Sequence, residues 1–240
     1  MTENFIRTIS MIGEDGFAKL QNSSVAIFGC GGVGGYAIEG LARCGVGSFH
    51  LCDCDVFSKS NLNRQILATT DTLEKSKTQT AEKRILSINP SASVEVYDYY
   101  FSKDTAENFP FEKFDYIIDC IDSITSKILL CEIATAKNIP IISSMGTGNK
   151  TDITKLAVSK LSKTSVCPLA RVMRSELKKR NIDIKVVFST ETPTKPQYTF
   201  SSEETLRKDV PSSMIFVPAG AGLMLAREVV FDLIDKITQN

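Results

Sequence analysis

Apolar and polar positions follow two rhythms along the first half of this chain. Short, nearly unbroken apolar runs end in glycine, aspartate or a polar pair: SSVAIFG (23–29), GSFHLCD (47–53), FDYIIDC (114–120) and IPIISSM (139–145). Such runs predict strands buried on both faces, and ASVEVYD (92–98) adds a strand by strict alternation. Between them lie stretches with helical spacing. VGGYAIEGLARCG (33–45) repeats Val33, Ala37, Leu41 and Cys44 and closes at Gly45, TQTAEKRILSINP (78–90) stops at Pro90, and SKILLCEIATAKN (126–138) precedes the last of these strands. Strands alternating with helices predict an α/β fold, a doubly wound, Rossmann-like, mostly parallel sheet.

Beyond Gly148 the rhythm changes. KLAVSKL (155–161) and IKVVFSTE (184–191) read as strands around the helix PLARVMRSELKKR (168–180). A polar stretch rich in Pro, Ser and Thr (192–213) reads as a mobile loop, and a closing helix begins near Pro218, with glycines that let it lie close to the sheet. No repeat or linker interrupts the chain. The expectation is one domain over 1–240, with a nucleotide-binding half (1–150) and a C-terminal strand-helix elaboration (151–240) on the substrate side.

Composition narrows the class. The 240 residues are 42% apolar and 23% charged, as in ordinary globular proteins. The longest uncharged apolar run, MIFVPAGAGLMLA (214–226), is too short to span a bilayer, and the N-terminus lacks a secretory pattern, so a cytoplasmic location without a membrane is expected. The seven cysteines include no C-x-x-C pair, which argues against a zinc ribbon or disulfide scaffold and for reduced, mostly buried thiols. The net charge is zero, yet residues 155–195 carry ten Lys or Arg against three acids. That excess of +7 fits a polyanionic partner such as RNA or, as the plainer reading, a solvated helix face.

The chemistry begins at Gly29-x-Gly31-x-x-Gly34, between a predicted strand and helix. Glycines there permit a tight turn and close backbone approach to phosphate, and the helix N-terminus offers free N–H groups. Asp53 ends the second strand, 19 residues after Gly34, where a carboxylate accepts from ribose hydroxyls of NAD and ATP alike. Asp55 is open to a metal or a turn. SNLNRQ (60–65) and the helix start at Lys75 and Lys77 suit a triphosphate better than a dinucleotide: Arg64 can bind phosphate bidentately, and a lysine opposing the helix dipole needs either plain solvent or an anionic partner, such as a phosphate. Asp119 and Asp122, at the end of the fourth strand, suit Mg2+ held against that triphosphate, with Asp122-Ser123 alternatively a helix cap. The only histidine, His50, lies within a strand and reads as structural.

These residues, read in order, resemble the ThiF/MoeB/HesA superfamily of adenylating enzymes related to ubiquitin-activating enzymes. GCGGVGGYAIEGLARCGVGSFHLCDCDVFSKSNLNRQI, Lys77, INP and DCIDS carry the likeness over roughly residues 4–150. The C-terminal stretches CPLARVMRSELKKRNI, KVVFSTETP and SSMIFVPAGAGLMLAREVV, with no zinc cysteine pairs, resemble its tRNA threonylcarbamoyladenosine dehydratase branch. The resemblance implies ATP with Mg2+, and an association with a monovalent alkali cation. It places Gly29, Gly31, Gly32 and Gly34 along the phosphates, Asp53 and Asp55 toward the ribose side, Asn61, Arg64, Gln65 and Lys77 at the triphosphate, and Asp122 at the metal. Arg7 would reach the partner's site in a homodimer, although Asn4 stands where relatives often carry another arginine. Arg7, Arg64, Lys77 and Asp122 would act in catalysis. Partners implied are tRNA and a sulfur-transfer or cysteine desulfurase system. The implied reaction adenylates the threonyl carboxylate of threonylcarbamoyladenosine beside the anticodon and closes a ring. The alternative, adenylation of the C-terminal glycine of a ubiquitin-like sulfur carrier, shares every nucleotide residue. Cys167, at a predicted helix N-terminus, bears on it as a thioester nucleophile or an unreactive cap.

Overall fold

The computed structural model describes residues 3–198 and 211–235. Seven strands form one sheet in the order β3-β2-β1-β4-β5-β7-β6. They are β1 (Ser24–Phe28), β2 (Ser48–Cys52), β3 (Ser93–Tyr97), β4 (Tyr116–Asp119), β5 (Ile141–Ser144), β6 (Leu156–Lys160) and β7 (Lys185–Ser189). Every pairing is parallel except β6 with β7. The helices are α1 (Ile6–Gln21), α2 (Gly34–Cys44), α3 (Lys77–Ile88), α4 (Ile124–Ala136), α5 (Pro168–Lys178) and α6 (Phe216–Asp235).

The unbroken apolar runs are explained by burial from both sides. Val25 and Ile27 of β1 join a core with α1, α2, α3 and α6, whereas Ala26 and Phe28 point into a second core with α4 and α5. The second core is completed without a crossover helix. The link from β3 to β4 has only two 3-10 turns, Ala106–Asn108 and Phe111–Lys113. Phe101 and Phe109 fill that space, their ring centroids 4.9 and 5.2 Å from that of Phe28. Rings of this size can replace a helix's apolar stripe at low entropic cost.

One element departs from the sequence reading, and another agrees with it and adds to it. α1 was not legible, because it is two helical pieces joined at Gly13, whose φ of +76° breaks the spacing. α6 starts two residues before Pro218, and its glycines serve close approach to a helix as well as to the sheet. A Cβ on Gly222 would lie 2.3 Å from the Val33 carbonyl oxygen of the segment leading into α2. The expected loop at 192–213 lies partly outside the described residues (199–210). Its two described ends meet at Asn149, whose carbonyl accepts from the Thr194 N–H at 2.8 Å and whose N–H donates to Ser212 O at 2.7 Å.

Candidate functional site

Between β1 and β4 the connections leave in opposite directions: α2 packs on one face of the sheet and α4 on the other. The crevice in which open α/β sheets take ligands lies at such a point, beyond the carboxyl ends of the strands. The glycine loop lines it, and two of its glycines are required by contact. Gly29 has φ of +95°, and a Cβ on it would stand 2.6 Å from the Cys120 carbonyl oxygen. A Cβ on Gly34 would stand 1.8 Å from the Gly29 carbonyl oxygen. No other residue type fits either position without moving backbone. Around Gly31 and Gly32 the space is looser: the Gln65 amide and the Arg64 stem approach a Cβ built there no closer than 3.7 and 3.6 Å. The SNLNRQ segment is therefore folded directly over the loop.

Asp53 holds this loop in shape. Its Oδ2 accepts from the Cys30 N–H at 2.7 Å and its Oδ1 from the Asp55 N–H at 2.9 Å. Burial raises its carboxyl above the usual range, opposed by Lys77 and these two N–H groups. Lys77 is buried as the first residue of α3, and Ser76 caps that helix by accepting from the Gln79 N–H. Its ammonium lies 2.7 Å from Asp55 Oδ2 and 3.8 Å from Asp53 Oδ1. The anionic partner at this helix start is thus Asp55. That carboxylate pairs with Lys77 rather than capping a turn, and Asp53, Cys54 and Asp55 have side-chain donors close enough together for an ion.

Asn61 is buried and accepts from the Ser58 N–H at 3.2 Å, closing the 58–61 turn. Arg64 donates to Ser60 O at 2.7 Å and Asn63 Oδ1 at 3.0 Å. Burial lowers its pKa, and among the described residues it has no carboxylate partner. A partly buried guanidinium without an anion, packed over a glycine loop, is a ready phosphate receptor. Gln65 is also buried, and its Oε1 lacks a hydrogen-bond partner. Asn63, not singled out from sequence, donates to Ser213 O at 2.9 Å and so ties this segment to the start of α6.

The two carboxylates at the end of β4 have parted company. Asp122 is exposed, three residues beyond the end of β4. Ser123, rather than Asp122, caps α4, its hydroxyl accepting from the Ser126 N–H at 3.5 Å. Asp119 is fully buried and paired with Lys127 at 2.9 Å, so it is not a metal ligand. The sequence did hold a clue: Lys127 shares helical spacing with Leu130, Cys131 and Ala134, all buried. Arg7 stands exposed near the start of α1, separate from these groups. His50 is buried beside Tyr97, with a pKa lowered by burial. Cys167 occupies the N-cap of α5, but its thiol does not cap; it is buried, 4.0 Å from Gly146 O.

The basic segment is less basic than its composition. Arg180 pairs with Glu132 and Glu176, Lys179 with Glu176, and Lys185 with Glu228 and Asp232. Lys155, Lys160, Lys163, Arg171 and Lys178 remain exposed and make no ion pair among the described residues. No described helix is long and apolar enough to cross a membrane.

Residues 4–238 match the model of the ThiF family. A tRNA threonylcarbamoyladenosine dehydratase of Bacillus subtilis is 38% identical over 99% of this chain and 97% of its own length. One of Haemophilus influenzae is 34% identical over 77% of this chain and 74% of its own length. The crystal structure of the Escherichia coli enzyme TcdA in complex with ATP superposes with a TM-score of 0.90 at 28% identity, covering 100% of this chain and 97% of that one.

Proposed function

The chain belongs to the ThiF family, and from that membership we propose that it is the ATP-dependent dehydratase of threonylcarbamoyladenosine in tRNA. The observation that carries the nucleotide assignment is Arg64: a partly buried guanidinium over Gly32, without a carboxylate partner among the described residues, on a loop fixed by Asp53, whose Oδ1 lies 3.8 Å from the buried ammonium of Lys77. Likeness over the whole length to the Bacillus subtilis enzyme, including the C-terminal half, favours the dehydratase over a sulfur-carrier adenylyltransferase.

In this reading Gly29, Gly31, Gly32 and Gly34 cradle the phosphates of ATP, and Asp53 and Asp55 face the ribose side. Asn61, Arg64, Gln65 and Lys77 hold the triphosphate. For Lys77 this means exchanging Asp55 for a phosphate oxygen. Asp122 would hold Mg2+. A single protein carboxylate suits that ion, which keeps several waters and takes its remaining ligands from the phosphates. When bound, Mg2+ neutralises charge on the departing pyrophosphate. The alkali cation associated with the family belongs to the same expectation.

The threonyl carboxylate attacks the α-phosphorus, the bond from that phosphorus to the bridging oxygen breaks, and pyrophosphate leaves with that oxygen. A carbamoyl nitrogen or oxygen then attacks the acyl carbon, a carbamoyl N–H gives up its proton, and AMP is expelled, carrying away the former carboxylate oxygen. The ring closes with net loss of the elements of water. Arg64, Lys77 and Arg7 act by stabilising phosphate charge. Arg7 does so in a homodimer, a reading supported by its exposure on α1 and by the exposed apolar residues Met11, Met214, Phe216 and Leu223. Residues 1–150 bind the nucleotide, and the uncompensated cations of 151–240 face tRNA in the cytoplasm. A cysteine desulfurase partner is part of the same proposal. The test incubates the protein with ATP, Mg2+ and threonylcarbamoyladenosine-containing tRNA and weighs the released nucleosides. A product lighter by one water supports the reading; pyrophosphate exchange only with a small diglycine-ended protein contradicts it.

A further inference from the structure

Lys127, Asp119 and Ser143 form a closed polar cluster inside the second core, each fully or almost fully buried. The Lys127 ammonium donates to Asp119 Oδ2 at 2.9 Å and to Ser143 Oγ at 3.1 Å, and Ser143 Oγ donates to the same Asp119 Oδ2 at 2.6 Å. An ion pair at this depth costs more to desolvate than it returns unless its geometry is fully satisfied, and apolar residues would often serve stability as well. Stability alone therefore gives little reason for it. Its other connection gives one.

The second oxygen of Asp119, Oδ1, accepts from the Ile121 N–H at 3.0 Å. That bond fixes the turn leaving β4. On one side of this turn is Cys120, whose N–H donates to Phe28 O at 2.8 Å and whose carbonyl oxygen lies under the Gly29 Cα. On the other side is Asp122. Lys127 and Ser143 hold Oδ2 and thereby fix the rotation of the carboxylate, so that Oδ1 faces Ile121. We infer that Lys127 is a positioning residue: through Asp119 it sets the turn that presents Asp122 to the metal-bound triphosphate. The inference rests on the ATP·Mg2+ reading of this crevice.

Removing Lys127 alone leaves a buried charge and threatens the fold, so charge-balanced pairs are the informative variants. Asp119→Ala/Lys127→Met removes both charges and the acceptor for Ile121. Asp119→Asn/Lys127→Met removes both charges and keeps an acceptor. Affinities for ATP with Mg2+ and for AMP with EDTA are measured by calorimetry, alongside Tm. Groups that orient a metal ligand change metal affinity on the order of tenfold or more. The Ala/Met pair is expected to lose ATP·Mg2+ affinity by about that factor, with AMP affinity within about twofold, and the Asn/Met pair to recover most of the loss. Adding Asp122→Asn to the Ala/Met pair is expected to cause no further loss. The inference is overturned if both pairs bind ATP·Mg2+ like the parent protein, if AMP and ATP weaken together, or if affinity follows Tm rather than the acceptor. If Asp122→Asn alone leaves ATP·Mg2+ binding unchanged, the metal reading itself fails, and the inference with it.

Discussion

The two sides of the central crevice are built differently. On the β1 and β2 side, the nucleotide groups are close in sequence and fixed by local contacts: the glycine loop, Asp53 on the next strand, SNLNRQ folded over Gly31 and Gly32, and Lys77 at the following helix start. On the β5, β7 and β6 side, residues distant in sequence are brought together by the sheet. Asn149 meets Thr194 and Ser212, and Lys185 meets Glu228 and Asp232. The first side has a cradle and cations aimed at a small anion. The second presents a broad surface with scattered unpaired cations. On the proposed reading, the pocket for ATP is compact and locally encoded, and the surface for a large polyanion is diffuse and encoded by the fold.

The largest effects are expected on the compact side. Gly34→Ala would place a methyl 1.8 Å from a carbonyl oxygen and should abolish ATP binding in calorimetry. Gly32→Ala, whose nearest neighbour is 3.6 Å away, should retain it. Equal behaviour of the two variants would show that the loop is not shaped by these contacts. Next, Arg64→Ala should lower kcat/KM for pyrophosphate release by roughly 10²–10³, the effect of removing one preorganised donor from developing charge.

Smaller effects sharpen the contrast. Reversing Arg171 and Lys178 to glutamate should weaken tRNA binding and flatten its salt dependence, because each phosphate contact contributes roughly 0.9 to the slope for duplex nucleic acid and less for single strands. ATP affinity should not change. Lys179→Ala, which removes a cation already paired with Glu176, should do little by filter binding. A small effect of the opposite sign is expected for Asp55→Asn. It frees Lys77 from an exposed counter-ion and should tighten ATP binding a few-fold. Weaker binding would mean that contact of the Asp55 carboxylate with the nucleotide outweighs its hold on Lys77.

Legibility in the sequence followed the same division. The alternation of strands and helices, the glycine loop and the residues around it were readable because their spacing is local. Depth was not readable. Asp119 and Asp122 differ by three positions and look equivalent in DCIDS, yet one is sealed against Lys127 and the other is exposed. The net charge of 155–195 overstated the basic surface, because Glu132, Glu228 and Asp232 arrive from outside the segment. α1 was hidden by the break at Gly13. The β3 to β4 connection carries phenylalanines and 3-10 turns rather than a helix, and nothing local announces that their rings share one core.

The most direct measurement is the mass of the modified nucleoside after tRNA bearing threonylcarbamoyladenosine has been treated with this protein, ATP and Mg2+. The account predicts a species lighter by one water, formed with AMP and pyrophosphate in equal amounts and lost in Arg64→Ala. An unchanged nucleoside, with ATP turned over only when a diglycine-ended protein is present, would contradict it.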